Sequence, residues 1–256
     1  MKKKYFFFDI DGTLTDLKTN KIVPSAKEAL NQLKENGHFV AIATGRAHYK
    51  AVNFTNSIGI YNLVCSGGGG IVVDGKLLYN EPLEHESILN ILHHAEEDGV
   101  GYLLMLDDSE KVYMKDYRFL EQVGLRKEVT TYIYDPTIDV STIDILKVYL
   151  AIPNGKDEDY PWMNEMSHLR FVKDYVMYQY DAKKEGILRM METIHGNLED
   201  VVVFGDDVND LVMFDSRWFS IAMGNANEEL KKQANYITDC NIDDGIWKEC
   251  KEFKWI

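Results

Sequence analysis

The first apolar run, Tyr5-Phe6-Phe7-Phe8, has no polar break, the pattern of a strand buried on both faces of a parallel sheet. It ends abruptly on Asp9-Ile10-Asp11-Gly12-Thr13-Leu14-Thr15-Asp16. Beyond it, apolar positions recur with a helical period from Pro24 to Asn36, closing at Gly37, and Phe39 to Ala43 is again a continuous apolar run. Ala47 to Ser57 reads as a helix stopping before Gly59. This alternation predicts βαβ units and a parallel sheet. A short run from Asn62 to Cys65 precedes Ser66-Gly67-Gly68-Gly69-Gly70, and Ile71 to Tyr79 reads as a hairpin turning at Asp74-Gly75. The glycine run leads into a strand instead of opening a helix, so it lacks the context of a dinucleotide-binding loop.

Between about Pro82 and Ala182 the texture changes. A helix is predicted from Glu84 to Asp98, followed by extended segments at Tyr102 to Leu106, Lys111 to Lys115, Thr130 to Tyr134, Leu146 to Ile152 and Val176 to Tyr180, the mark of an α+β unit with an antiparallel sheet. After Lys183 the first rhythm resumes: helix Lys184 to His195, strand Val201 to Phe204, helix Val208 to Phe214, strand Trp218 to Ala222, helix Glu228 to Ala234. The expectation is an α/β chain in which residues 1–81 and 183–256 share one parallel sheet. Residues 82–182 are then an insertion over the sheet's C-terminal edge, able to close on a bound substrate.

At 256 residues the chain is long enough for a sizeable core and near the length at which cores divide. Its 45% hydrophobic and 27% charged content is that of a soluble globular protein. A formal net charge of −14 argues against nucleic acid and against an anionic membrane surface as partners. An anionic small molecule must then be held by local cations. Three cysteines, Cys65, Cys240 and Cys250, lack metal-ligand spacing and read as reduced thiols. No run reaches the length of a membrane-spanning helix. The expected location is cytoplasmic.

Four clusters carry candidate chemistry. Asp9 and Asp11, two apart at a strand end, point the same way, and like charges so close call for a cation or a shared proton; a hard cation such as Mg²⁺ fits. Gly12 lets the chain turn, and Thr13 is expected to bond the freed backbone. Thr44-Gly45-Arg46 ends a strand and opens a helix, offering a hydroxyl and backbone amides to an anion. Lys183, beside Lys184, precedes a helix and offers a point charge to a phosphoryl group. Gly205-Asp206-Asp207-Val208-Asn209-Asp210 places three acids and an amide around a second strand end, more than a helix cap alone requires. His93 and His94 read as a polar helix face, and Phe171, Tyr175, Tyr178 and Tyr180 as sheet positions.

In this order the four clusters resemble the haloacid dehalogenase superfamily, specifically its Cof-type phosphatases. The likeness continues through Ile221-Ala222-Met223-Gly224-Asn225-Ala226, Ala234-Asn235-Tyr236-Ile237-Thr238 and Asp244-Gly245-Ile246. The resemblance implies a Rossmann-like parallel-sheet core with an α+β cap inserted between the second and third clusters. It implies a Mg²⁺-dependent phosphatase of small phosphorylated metabolites, with sugar phosphates the leading class. Asp9 is then the nucleophile and Asp11 the proton-shuttling acid, an acid that favours phosphatase or phosphomutase over dehalogenase or ion-pumping relatives. Asp9 and Asp206 supply metal carboxylates and Asp11 its backbone carbonyl. Thr44, Gly45, Arg46, Lys183 and Asn209 face the phosphoryl group, with Asp210 behind them. Lys183-Lys184-Glu185-Gly186 matches the lysine-x-x-glycine form at Lys183. Gly67 stands where the subgroup usually carries asparagine. A phosphomutase and a non-catalytic sugar-phosphate binder remain the rival readings, and a monomer or weak homodimer is expected.

Overall fold

The computed structural model describes residues 2–256 and divides into two compact units, residues 2–80 with Asp181–Ile256, and Glu81–Tyr180. In the first segment the elements are β1 (Tyr5–Phe8), the short hairpin β2 (Thr15–Asp16) and β3 (Lys21–Ile22), α1 (Pro24–Glu35), β4 (Phe39–Ala43), α2 (His48–Ser57), β5 (Leu63–Cys65), β6 (Gly70–Val73) and β7 (Lys76–Asn80). The second unit holds α3 (His85–Glu97), β8 (Tyr102–Met105), β9 (Lys111–Met114), α4 (Arg118–Gln122), β10 (Thr131–Tyr134), β11 (Lys147–Leu150) and β12 (Val176–Tyr178). The chain then returns with α5 (Lys183–Thr193), β13 (Val201–Gly205), β14 (Phe219–Ala222), α6 (Glu228–Gln233), β15 (Tyr236–Ile237) and α7 (Gly245–Glu252).

The first unit is built on a sheet of order β15-β14-β13-β1-β4-β5-β6-β7, parallel from β15 to β5, with β6 and β7 added antiparallel. Side chains alternate across it. Phe6, Phe8, Val40, Ile42, Val202 and Phe204 join one buried cluster with Leu30, Leu33, Ile246 and Cys250. Phe7, Ala41, Ala43, Val201 and Val203 join another with Ile187, Met190 and Met191 of α5. Both faces of β1 are therefore dry, which is why its sequence is an unbroken aromatic run. Each buried phenylalanine contributes roughly 1.5–3 kcal/mol. Because β1 pairs with β13 on one side and β4 on the other, connections leave it in opposite directions, and the loops at the carboxyl ends of these strands form the usual ligand crevice of such sheets.

The second unit departs from the expected antiparallel sheet. Its order is β10-β9-β8-β11-β12, and β10 runs parallel to β9. A parallel partner needs a crossover, and α4 supplies it. Five helical residues are too few for a periodicity signal. Val208–Met213 is a 3₁₀ segment where an α-helix was expected. The missed α7 is eight residues long, with no side-chain cap and with Asp244 in the left-handed conformation before it.

Two buried acids, Asp200 and Glu249, lie away from the sheet's carboxyl edge. Glu249 on α7 is 3% exposed, its Oε1 meets no hydrogen-bond partner, and burial pushes its carboxyl up to about 7 from an ordinary 4.5. The folded state therefore holds its proton where the unfolded chain has lost it. The stability from this group is complete below about pH 4.5 and falls as pH rises toward about 7. Glu249→Gln, neutral throughout, should remove that loss. In urea melts the variant should gain on wild type between about pH 5 and about pH 8, by on the order of 1 kcal/mol. A gap between the two proteins that stays constant across this window contradicts the assignment.

Candidate active site

The Asp9 N–H still donates to Phe204 O of β13 at 3.0 Å, so the carboxylate emerges from the sheet with its backbone fixed. The chain then folds back on itself. Leu14 and Thr15 N–H both donate to Ile10 O, at 3.0 and 2.9 Å, and Asp11 N–H donates to Asp9 Oδ2 at 2.9 Å. Gly12 sits at φ +88°, and a Cβ there would lie 2.1 Å from Asp206 Oδ2. Only glycine allows this turn to approach the second acidic loop so closely. Thr13 was expected to bond backbone; instead its Oγ1 donates to Asp206 Oδ1 at 2.7 Å, joining the two strand ends.

Lys183, at the start of α5 and 1% exposed, reaches into this cluster: its Nζ donates to Asp9 Oδ1 at 2.8 Å and Asp210 Oδ1 at 2.6 Å. Lys184 does not enter it. Its ammonium is 3.7 Å from Glu185 and 3.8 Å from Asp215, on a side chain one-third exposed. Asp210 is fully buried, and its Oδ2 accepts Asp206 N–H at 2.9 Å and Asp207 N–H at 3.3 Å. Together with Asp207 it forms a capping box over the 3₁₀ turn, so the Asp-x-x-Asp spacing was the sequence signal for its bracing role. Asn209 lies half-buried in that turn.

Asp11 faces differently. Its side chain is 47% exposed and paired with Arg46, whose Nε donates to Asp11 Oδ2 at 3.0 Å and whose terminal nitrogen contacts Oδ1. Thr44 is buried, and its Oγ1 accepts Arg46 N–H at 3.2 Å. The glycine run holds this loop from behind: Ser66 N–H donates to Arg46 O at 2.7 Å, Gly67 N–H to Thr44 O at 3.1 Å, and Gly67 O accepts Ala182 N–H at 2.7 Å. Gly67, at φ +66°, thus ties the Thr44-Gly45-Arg46 loop to the residue before Lys183 through backbone alone.

Three carboxylate oxygens, one each from Asp9, Asp206 and Asp210, lie within 4.8 Å of one another. One ammonium faces them. Burial, then the charge of Asp210, push Asp9 up to about 7 against the pull of Lys183. Burial pushes Asp206 up to about 8, with Thr13 opposing and Asp9 and Asp210 adding to it. Burial disfavours the Lys183 charge, but Asp210 and Asp9 outweigh it and hold its pKa above the ordinary lysine value. A cluster short of positive charge, made wholly of carboxylate oxygens, suits a hard divalent cation. Asp210 already accepts three hydrogen bonds, whereas Asp206 accepts one among the described residues. The acids best able to take a cation are therefore Asp9 and Asp206.

Residues 6–249 match a family profile described as haloacid dehalogenase-like hydrolase. YkrA of Bacillus subtilis (strain 168), which carries a phosphatase name, is 30% identical over 98% of both chains. A phosphoglycolate phosphatase of Nitrosopumilus maritimus (strain SCM1) is 26% identical over 96% of this chain and 94% of its own. Among solved structures, a Geobacillus kaustophilus HTA426 protein aligns over the whole of both chains with a TM-score of 0.83 and 29% identity. A sugar phosphatase of subclass IIB shares the fold at a TM-score of 0.79 and 24% identity, covering 99% of this chain and 100% of its own.

The two adjacent lysines should separate cleanly. Lys183→Ala leaves two buried carboxylates without their counter-charge and should cost roughly 3–5 kcal/mol in urea unfolding of EDTA-treated protein. Lys184→Ala should stay within about 0.5 kcal/mol of wild type. Equal effects of the two substitutions contradict the buried bridge.

Proposed function

The chain belongs to the haloacid dehalogenase-like hydrolase family and is a phosphoric monoester hydrolase, and from that premise we propose that it is a Mg²⁺-dependent phosphatase of small phosphorylated metabolites, sugar phosphates foremost, acting through a phosphorylated Asp9. One observation carries the reading: the two carboxylates of Asp9-Ile10-Asp11 occupy opposite environments. Asp9 is buried against Lys183, whereas Asp11 is half-exposed and held by Arg46. One acid is fixed for attack, and the other stands at the solvent side, where the departing oxygen and water can reach it.

In the first step an Asp9 carboxylate oxygen attacks phosphorus, the phosphorus–ester oxygen bond breaks, and Asp11 gives its proton to the departing alkoxide. In the second, Asp11 takes a proton from water as the water oxygen attacks phosphorus and the bond from phosphorus to the Asp9 oxygen breaks, releasing inorganic phosphate and the Asp9 carboxylate. Lys183 and the Thr44 hydroxyl hold phosphoryl oxygens, with Gly45, Arg46 and Asn209 around them. Lys183 also offsets the repulsion between an anionic nucleophile and an anionic substrate. Asp9 and Asp206, with the Asp11 backbone carbonyl, would hold Mg²⁺. When bound, the cation supplies the positive charge that the cluster lacks and favours charge building up on the phosphoryl oxygens.

The Glu81–Tyr180 unit is the natural place for substrate choice, because a phosphoryl site common to all monoesters cannot tell leaving groups apart. Cys65, Cys240 and Cys250 are not joined in disulfides, which supports a reducing, cytoplasmic setting. Among the described residues no helix is long and apolar enough to cross a membrane.

Asp9→Asn, nearly isosteric and unable to form an acyl phosphate, should abolish phosphate release with Mg²⁺ while leaving the far-UV circular dichroism unchanged; retention of more than a small fraction of the rate removes Asp9 as nucleophile. Replacing residues 82–182 with the corresponding unit of a relative of different preference should reorder activity over a panel of phosphometabolites and keep dependence on Asp9. An unchanged order in a folded, active chimera assigns specificity to the loops of the first unit.

A further inference from the structure

We infer that Asn225 and Asn241 are positioning residues that hold the Asp11 turn in register, acting as a two-amide clamp from the C-terminal part of the first unit. The inference rests on the roles proposed above for Asp9 and Asp11. The turn from Ile10 to Thr15 carries one of those acids; its backbone leaves the sheet at the Asp9 bond to Phe204 O, and its Thr13 side chain is tied to Asp206. Its far side is gripped by two amides. Asn225 Nδ2 donates to Gly12 O at 2.9 Å, and Asn241 Nδ2 donates to Thr15 O at 2.8 Å.

The two amides are themselves locked together. Asn241 N–H donates to Asn225 Oδ1 at 2.9 Å, and Asn241 Oδ1 accepts Ile242 N–H at 2.8 Å. Asn225 thus uses a donor toward the acidic turn and an acceptor toward its neighbour, a combination an amide provides and a carboxylate does not. The surrounding backbone extends the grip to the other acidic loop. Asn227 N–H donates to Asp206 O at 2.8 Å, Met223 N–H to Gly205 O at 3.0 Å, and Gly224 N–H to Asp239 O at 3.0 Å. One segment, Met223 to Asn241, therefore sets the spacing between the Asp11 turn and the Asp206 loop, on which the fit of Gly12 against Asp206 depends. Asn241 is 6% exposed, and loss of its bond leaves the Thr15 carbonyl with the longer bond from Gly12 N–H, at 3.2 Å.

Asn225→Asp is the informative substitution. It keeps the acceptor for Asn241 N–H, loses the donor, and sets a carboxylate oxygen against Gly12 O. Asn225→Ala loses both. The measurements are kcat and KM for p-nitrophenyl phosphate hydrolysis with Mg²⁺, thermal midpoints, and amide hydrogen exchange resolved at Gly12, Leu14 and Thr15. Both variants should lower kcat on the order of 10- to 100-fold with KM within about twofold, the scale of a reacting group displaced by about an ångström. Exchange at the three amides should quicken in both, while the β4 and β13 amides keep wild-type protection. An Asn225→Asp variant with wild-type kcat and unchanged exchange overturns the clamp, as does a loss of protection spread equally over the sheet. Exchange is read without turnover, so the clamp can be upheld or rejected even if Asp9→Asn remains active and the catalytic assignment fails.

Discussion

Three carboxylates buried around one ammonium set the terms for the rest of this protein. Asp9, Asp206 and Asp210 come together at the carboxyl edge of the central sheet, and Lys183 answers only part of their charge. Burial raises the cost of each charge, so Asp9 and Asp206 bind protons far above the ordinary carboxylate range. Such a cluster persists only if the surrounding fold outweighs its repulsion and if an added positive charge is gained when the site is at work. The first requirement is met by the two dry faces of β1. The second is the physical ground for the proposed cation.

The sheet order turns sequence-distant residues into neighbours. Phe8 lies in register with Phe204 on one side and Ile42 on the other, so Asp9, Asp206 and Thr44 leave three adjacent strands at nearly the same level. Lys183 enters from α5, which packs on the face occupied by Phe7, and Gly67 ties its approach to the Thr44 loop. Asp11 stays outside the buried cluster because its partner, Arg46, stands on the opposite loop and is partly solvated. The different surroundings of Asp9 and Asp11 are thus a consequence of topology, not of chemical difference between two aspartates.

The parts visible in the sequence are those written in short-range pattern. The aromatic run of β1, the periodicity of α1 and the apolar run of β4 needed no tertiary information, and the acids at the ends of β1 and β13 stood out for their density. What escaped was decided by long-range contact. The bond from Thr13 to Asp206 spans 193 residues, and those from Asn225 to Gly12 and from Asn241 to Thr15 span 213 and 226. A polar side chain in a loop does not announce such a partner. The parallel pairing of β9 with β10 was hidden by the shortness of α4, and the glycine run resisted interpretation because its work is done by backbone groups that any residue carries.

The most direct test of the account is to locate the phosphoryl group during turnover. Protein mixed with a phosphomonoester and Mg²⁺, quenched in acid within a single turnover and digested, should yield a peptide phosphorylated on Asp9, and the modification should disappear as inorganic phosphate accumulates. A phosphoryl group found on a different residue, or single-turnover release of inorganic phosphate with no Asp9-phosphorylated peptide at any quench time, contradicts it.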